Sequence, residues 1–243
     1  KPVVILKGGR TRQGLQAAVS HTGMLAGDDR IWAALARETG AILVADLEGL
    51  IDSLVALQEL TPRAGEPTRR VALFGNGGGT SVLAVDAFAR HGLDVLPFAD
   101  VTRHALEALA LPPGTSVNNP IDAPIGTLRQ ERGRIAEAII ERVYAHDRQH
   151  AFVMHLNLPV LLDHVATETD MLENILAAAE RVRTRYPAGP HFLLVLRSDG
   201  RPEIEDRKRA SRAWALARHI PVFDEMANAA IGLRALSAFE RAC

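Results

Sequence analysis

The sequence predicts an α/β protein built on doubly wound parallel sheets. Short apolar runs, VVILK, AILV, RVALF, AFVMHLN and HFLLVLR, recur along the chain, with longer amphipathic stretches between them. The runs are apolar throughout rather than alternating, as expected of strands covered by helices on both faces. Strand and helix patterns take turns, which points to parallel pairing through helical crossovers.

The first strand is read at VVILK, residues 3–7, with the glycine- and arginine-rich residues 8–27 as a loop. Asp28 and Asp29 offer an N-cap for a helix through Glu38, and Gly40 a C-cap. A strand follows at residues 41–44, and Asp46 caps a helix to about Glu59. Residues 61–70, TPRAGEPTRR, are rich in proline, glycine and charge and form the predicted linker. RVALFGNGGG then reads as strand and glycine loop, residues 80–92 as a helix and LDVLPF, residues 93–98, as a strand. A short helix at 102–110 and a long loop at 111–126 come next. A helix over 129–145, the strand AFVMHLN, a helix around 170–185 and the strand HFLLVLR follow. A helix around 204–219, IPVF and a C-terminal helix complete the pattern.

Two domains are expected: residues 1–60, then the linker 61–70, then residues 71–243. The second holds enough strand–helix units for a complete doubly wound domain. The first holds two and cannot bury both faces of a sheet alone, so it is expected to be incomplete and to lean on a neighbour. The opening directly in a strand suggests a fragment, or one subunit of something larger.

Bulk composition narrows the function classes. Of 243 residues, 47% are hydrophobic and 23% charged, an ordinary globular balance, and the net charge of -1 gives no reason to expect nucleic acid or a membrane surface as partner. The single cysteine, Cys243, excludes an internal disulfide framework and a cysteine-rich metal site, and fits a cytoplasmic compartment. No apolar run approaches the roughly 18 residues that span a bilayer, and the start carries no signal-peptide pattern.

Three stretches carry polar chemistry. In FGNGGGTS, residues 74–81, a strand runs into glycines that open a helix. Gly75, Asn76, Gly77, Gly78, Gly79, Thr80 and Ser81 thereby offer backbone N–H groups and a helix dipole to an anion such as phosphate, the alternative being a tight turn that needs glycine only for sterics. A dinucleotide fingerprint is met only in part, because Thr80 stands where its third glycine belongs, and no Lys-Ser/Thr follows to make a phosphate loop. In SVNNPID, Asn119 precedes Pro120 and is expected to be extended, and Asp122 is placed to accept from backbone amides. In AAVSHTGMLAG, His21 stands in a polar segment, where a neutral imidazole can act as a nucleophile. A surface loop with an incidental histidine is the bland alternative.

The remaining histidines say less. His91 lies beside Gly92 at a helix end, His146 and His150 flank a turn, and His155 lies in a strand as a satisfied core or strand-end residue. His164, with Asp163 and Glu168, reads as a surface patch. None has metal-ligand spacing on a helix, so no metal site is expected.

Together KPVVILKGGRTRQGLQAAVSHTGMLAG, LFGNGGGTSVLAVDA and VNNPID resemble the NDP-forming acyl-CoA synthetases, the family of succinyl-CoA synthetase and the ADP-forming acetate–CoA ligases. The resemblance covers nearly the whole chain in the expected order. It implies flavodoxin-like, succinyl-CoA synthetase-like domains: residues 1–60 as the C-terminal half of a phosphohistidine-bearing domain, residues 71–243 as a CoA-ligase domain. It implies that His21 is phosphorylated in turnover, with Ser20, Thr22, Gly23, Asn119 and Asp122 supporting the loops. Gly14, Gly23 and Gly27 would let the histidine segment move as a carrier must.

CoA, phosphate and ATP or ADP with Mg2+ are the implied ligands, and a small carboxylic acid the substrate. A CoA-binding domain and an ATP-grasp domain of the same enzyme are the implied partners, within an oligomer. Thr80 and Ser81 depart from the Pro-Gly that many relatives carry there. Two other readings stay open: a non-catalytic regulatory or assembly module on the same scaffold, and a generic nucleotide-binding α/β domain. Retention of His21 favours the enzyme.

Overall fold

The computed structural model describes residues 1–22, 28–162 and 170–243, without the side chains of His21, Thr22 and Asp170. Two compact units emerge, Lys1–Thr68 with Ile231–Cys243, and Arg69–Ala230.

In the first unit β1 (Val4–Leu6) pairs in parallel with β2 (Ile42–Val44), with α1 (Arg12–Thr22) and α2 (Asp29–Thr39) between them and α3 (Leu47–Glu59) after. Helix α1 replaces the loop expected from residue 8 to 27 over residues 12–22; residues 23–27 lie outside the described residues. Thr11 starts it: its Oγ1 accepts the Gly14 N–H at 3.1 Å and its carbonyl the Leu15 N–H at 2.8 Å. The Gln, Leu and Ala residues that follow are good helix formers, and they outweigh Gly14. Other caps fall where the sequence puts them. Asp28 Oδ1 accepts the Arg30 N–H at 2.9 Å, Gly40 takes φ of 68°, and Asp46 Oδ1 accepts the Gly49 N–H at 2.8 Å.

The second unit runs β3 (Val71–Gly75), α4 (Gly78–Arg90), α5 (Asp100–Glu107), β4 (Ile121–Asp122), α6 (Ile125–Leu128) and α7 (Ile135–His146). It continues with β5 (Ala151–Asn157), α8 (Leu158–Leu162), α9 (Asp170–Arg185), β6 (His191–Arg197), α10 (Pro202–Leu216), β7 (Val222–Phe223) and the start of α11 (Met226–Ala242). All strands are parallel in the order β4-β3-β5-β6-β7. That is the flavodoxin-like winding, and the strand order reverses at β3 and β5.

Alternate residues of the three central strands, among them Phe74, Phe152, Met154, Phe192 and Leu194, point into one core with Leu106 of α5, Ile139 and Val143 of α7, and Ile175 and Val182 of α9. Phe152 and Phe192 are register partners, so their rings stack at 5.9 Å and 11°. Such a pair adds about 1 kcal/mol beyond its burial.

Three expected elements change. Residues 93–98 form no strand beyond a single bridge from Asp94 to Arg70. The loop at 111–126 contains β4, and the Asn119–Pro120 bond before it is cis. The helix expected from Arg129 is broken by a 3-10 turn, Gln130–Gly133, where Glu131 and Arg132 take left-handed backbone, so α7 starts only at Ile135.

From Ile231 on, α11 belongs to the first unit, where Ala235 packs with Ile42 and Val44, flanked by Leu50, Leu57 and Phe239. Periodicity marks a helix but not the sheet it covers, so the sequence put this segment with its neighbours in the chain. Fully buried Glu240 accepts the Arg63 N–H at 3.0 Å and the Thr68 N–H at 2.6 Å, and so pins both ends of residues 63–68. The first unit stays short of a full core: Val3, Ile31, Leu47 and Ile51 are each more than half exposed. Its sheet has two strands among the described residues.

Candidate functional site

The carboxyl ends of β3 and β5 are where a doubly wound sheet of this order places ligands. Gly75 ends β3 for a steric reason. It is the register partner of His155, and a Cβ there would stand 2.8 Å from the His155 carbonyl oxygen and 3.1 Å from its Cβ. Asn76 then ties the two strands together. Its Oδ1 accepts the Asn157 N–H at 2.8 Å and its Nδ2 donates to the Asn157 carbonyl at 3.3 Å.

Helix α4 begins next, and its N–H groups are unevenly used. The Gly77 N–H donates to Asp122 Oδ1 at 3.0 Å, and the Thr80 and Ser81 N–H groups donate to the Gly77 carbonyl at 3.0 and 3.2 Å. Among the described residues the N–H groups of Gly78 and Gly79 have no acceptor. They head a helix of 13 residues whose dipole adds the equivalent of about half a positive charge. A Cβ on Gly78 would meet Asp122 Oδ2 at 2.9 Å, whereas one on Gly79 would meet nothing within 4 Å. Packing therefore explains glycine at 75 and 78 and leaves 79 open to something approaching from outside.

The Asn-Pro-Ile-Asp stretch supports this loop from the side. Buried Asn119 does the work of the missing edge strand. Its Oδ1 accepts the Leu73 N–H at 2.9 Å, while its Nδ2 donates to the Val71 and Leu96 carbonyls at 2.8 and 2.9 Å. One carboxamide thus links β3 to residues 93–98, where no ladder forms. Asp122, on β4, fixes Gly77 as described. Beside the helix start lies a cleft of about 390 Å³ lined by Gly78, Ser81, Val82, Ser116 and Asp122, within the size range of small-molecule sites.

Beneath the loop lies His155, 3% exposed, which sequence reasoning took for a satisfied core or strand-end residue. The structure corrects that: its Nε2 has no hydrogen-bond partner. Burial, and then the charge of Arg197, lower its pKa to about 4, so the ring is neutral at pH 7. It lines a cavity of about 10 Å³ with Gly75, Thr80, Ser81 and Pro120. The register that brings His155 under Gly75 is a tertiary fact, and no motif in the chain announces it.

In the first unit Ser20 and His21 lie in the last turns of α1, and the Ser20 hydroxyl donates to the Gln16 carbonyl at 2.9 Å. Gly23 and Gly27 lie outside the described residues, as do His164, Asp163 and Glu168. His91 ends α4 as a cap. His150 is structural, its Nδ1 accepting the Arg69 and Arg70 N–H groups at 2.9 and 3.2 Å. Among the described residues no group of three or more His, Cys, Asp or Glu side chains is placed to hold a metal ion, and no helix is long and apolar enough to cross a membrane.

Fold and site together define a flavodoxin-like α/β protein with unspent helix N–H groups at its switch point. Residues 1–57 match the succinyl-CoA ligase-like flavodoxin domain. The chain is related to the NDP-forming acyl-CoA synthetases. It is 30% identical over 163 residues, 67% of its length, to the alpha subunit of ADP-forming acetate–CoA ligase I of Pyrococcus furiosus, of which it covers 33%. It is 37% identical over 122 residues, half of its length, to the ADP-forming acetate–CoA ligase of Methanocaldococcus jannaschii, of which it covers 17%. The chain thus spans about a third or less of these relatives. The fold is shared, at a TM-score of 0.76 and 22% identity, with an acetyl-coenzyme A synthetase 1 of Ca. Korarchaeum cryptofilum solved with phosphate and ADP, over 100% of this chain and 47% of that one.

Proposed function

We propose that the chain is the phosphohistidine-bearing part of an NDP-forming acyl-CoA synthetase that interconverts acyl-CoA, ADP and phosphate with carboxylic acid, CoA and ATP. In this reading phosphate displaces CoA from the acyl group to give an acyl phosphate. A nitrogen of His21 attacks its phosphorus, the P–O bond to the acyl group breaks and the carboxylate leaves. ADP then attacks the phosphohistidine, the N–P bond breaks and ATP forms. Such transfers need position and charge stabilisation more than covalent machinery.

The observation that carries the reading is the pair of free N–H groups of Gly78 and Gly79 at the start of α4, with no packing reason for glycine at 79. These donors suit a phosphate oxygen, and the Thr80 and Ser81 hydroxyls follow in the same first turn of α4. Asp122 and Asn119 hold the loop in shape, and Asn76 contributes by fixing the strands rather than by its side chain meeting the anion. CoA and the nucleotide with its Mg2+ are assigned mainly to a CoA-binding domain and an ATP-grasp domain supplied by the rest of the enzyme, in a cytoplasmic oligomer. The described residues offer no cluster for the metal. The domain reading goes with this: residues 1–60 as half of the phosphohistidine domain, and the CoA-ligase domain after residue 70.

The test is phosphorylation of the full-length enzyme with labelled ATP and magnesium. The label is expected on His21 as an acid-labile, base-stable adduct that is discharged by ADP. Equal labelling of His21→Asn would sink the proposal.

A further inference from the structure

His155 is a buried titratable group for which the reading above has no task. A buried polar atom without a partner is destabilising, so an unpartnered Nε2 calls for an explanation. The cavity that His155 lines, about 10 Å³, is the size of one water molecule. Thr80 and Ser81, from the first turn of α4, line it as well. Their hydroxyls differ: Ser81 donates to the Gly77 carbonyl at 3.4 Å, while Thr80 Oγ1 has no hydrogen-bond partner among the described residues.

We propose that His155 is a positioning residue of the α4 site: its Nε2–H donates to one buried water, the water donates to Thr80 Oγ1, and the Thr80 O–H is left to donate to a phosphate oxygen. The inference rests on α4 as an anion site. Proton bookkeeping permits this direction. With Nε2 as donor, the water accepts one bond and gives one to Thr80, whose own proton points outward. With the other tautomer the water gives one proton to Nε2 and its second to Thr80, so the Thr80 proton is again left outward; what either arrangement needs is a polar group at 155 to hold the water. Burial keeps the imidazole neutral, so it anchors the water without adding a charge beneath the loop. The threonine that breaks the dinucleotide fingerprint thereby gains a role.

The experiment measures binding of inorganic phosphate to the full-length enzyme by calorimetry. The variants are His155→Leu, His155→Gln, Thr80→Val, Thr80→Ser and the double variant H155L/T80V. Loss of one such hydrogen bond is worth about fivefold in Kd. His155→Leu and Thr80→Val are each expected to weaken phosphate by about that factor, and the double variant no further, because both break one chain. Thr80→Ser and His155→Gln, which keep a hydroxyl and a donor, are expected to stay near the parent. Losses that multiply in the double variant, or an undiminished His155→Leu, overturn the relay and leave the α4 site standing. No phosphate binding by the parent enzyme removes the site and the relay with it. Should His155→Leu fail to fold, the relay is overturned if Thr80→Val binds as tightly as Thr80→Ser, or if His155→Gln binds as weakly as Thr80→Val.

Discussion

Gly75 and His155 face each other across the β3–β5 ladder with no room for a methyl group: a Cβ on Gly75 would lie 2.8 Å from the His155 carbonyl oxygen. The obstacle is backbone in a central strand and cannot rotate away. Gly75→Ala is therefore expected to lower unfolding stability by about 3 kcal/mol, seen in chemical denaturation. An unchanged midpoint would show that the two strands separate more easily than their register implies.

Gly79 is the contrasting case, because nothing stands within 4 Å of its would-be Cβ. Alanine is the better helix former by about 1 kcal/mol, so Gly79→Ala is expected to keep or raise thermal stability. At the same time it should weaken inorganic phosphate, since a methyl group would cover the approach to the free N–H groups. A variant that is both stable and undiminished in phosphate binding would count against an anion at this helix start.

Asn119 replaces a stretch of β-ladder with one side chain. Asn119→Ala would strand the Leu73 N–H and the Val71 and Leu96 carbonyls, at an expected cost of about 3 kcal/mol. Asn119→Asp keeps the acceptor for Leu73 but turns a carboxylate on two carbonyls, so it should be no better than alanine. Amide exchange at Leu73 reads the effect locally; protection unchanged in both variants would remove the role.

Much of this fold was legible because strands and caps announce themselves locally. VALFG and FVMHLN are apolar runs, and Asp28, Gly40 and Asp46 are cap types at helix ends. What escaped needed tertiary knowledge. LDVLPF has strand composition, yet Asn119 takes the hydrogen bonds a strand would have made. Residues 12–22 looked like a loop because of their flanking glycines, though Thr11 caps a helix there. The glycine loop and Asp122 were visible as motif and acceptor, whereas His155 entered the site only through the register of β5 on β3.

Glu240 should report on the segment between the domains expected from sequence. Its carboxylate takes the Arg63 and Thr68 N–H groups, and Glu240→Gln would set an amide NH2 against one of them. A loss of about 1–2 kcal/mol is expected, with faster proteolysis within residues 63–68. Cleavage as slow as in the parent would mean that other contacts hold the segment.

The pH dependence of stability tests the burial of His155 directly. Its pKa is about 4 in the fold against 6.5 for the free side chain. Between those values the unfolded chain binds a proton that the fold does not, so stability rises with pH across the window. The contribution is complete above 6.5 and lost as pH falls toward 4. At 1.36 kcal/mol per pH unit, the loss amounts to about 3 kcal/mol. Other groups titrate in the same range, so the measurement is a comparison: between roughly pH 7 and pH 4 the parent should lose about that much more unfolding free energy than His155→Gln. Parallel curves would mean that the imidazole charges freely in the fold. A ring that could do so would be in contact with solvent, and the neutral donor beneath Thr80 would have no basis.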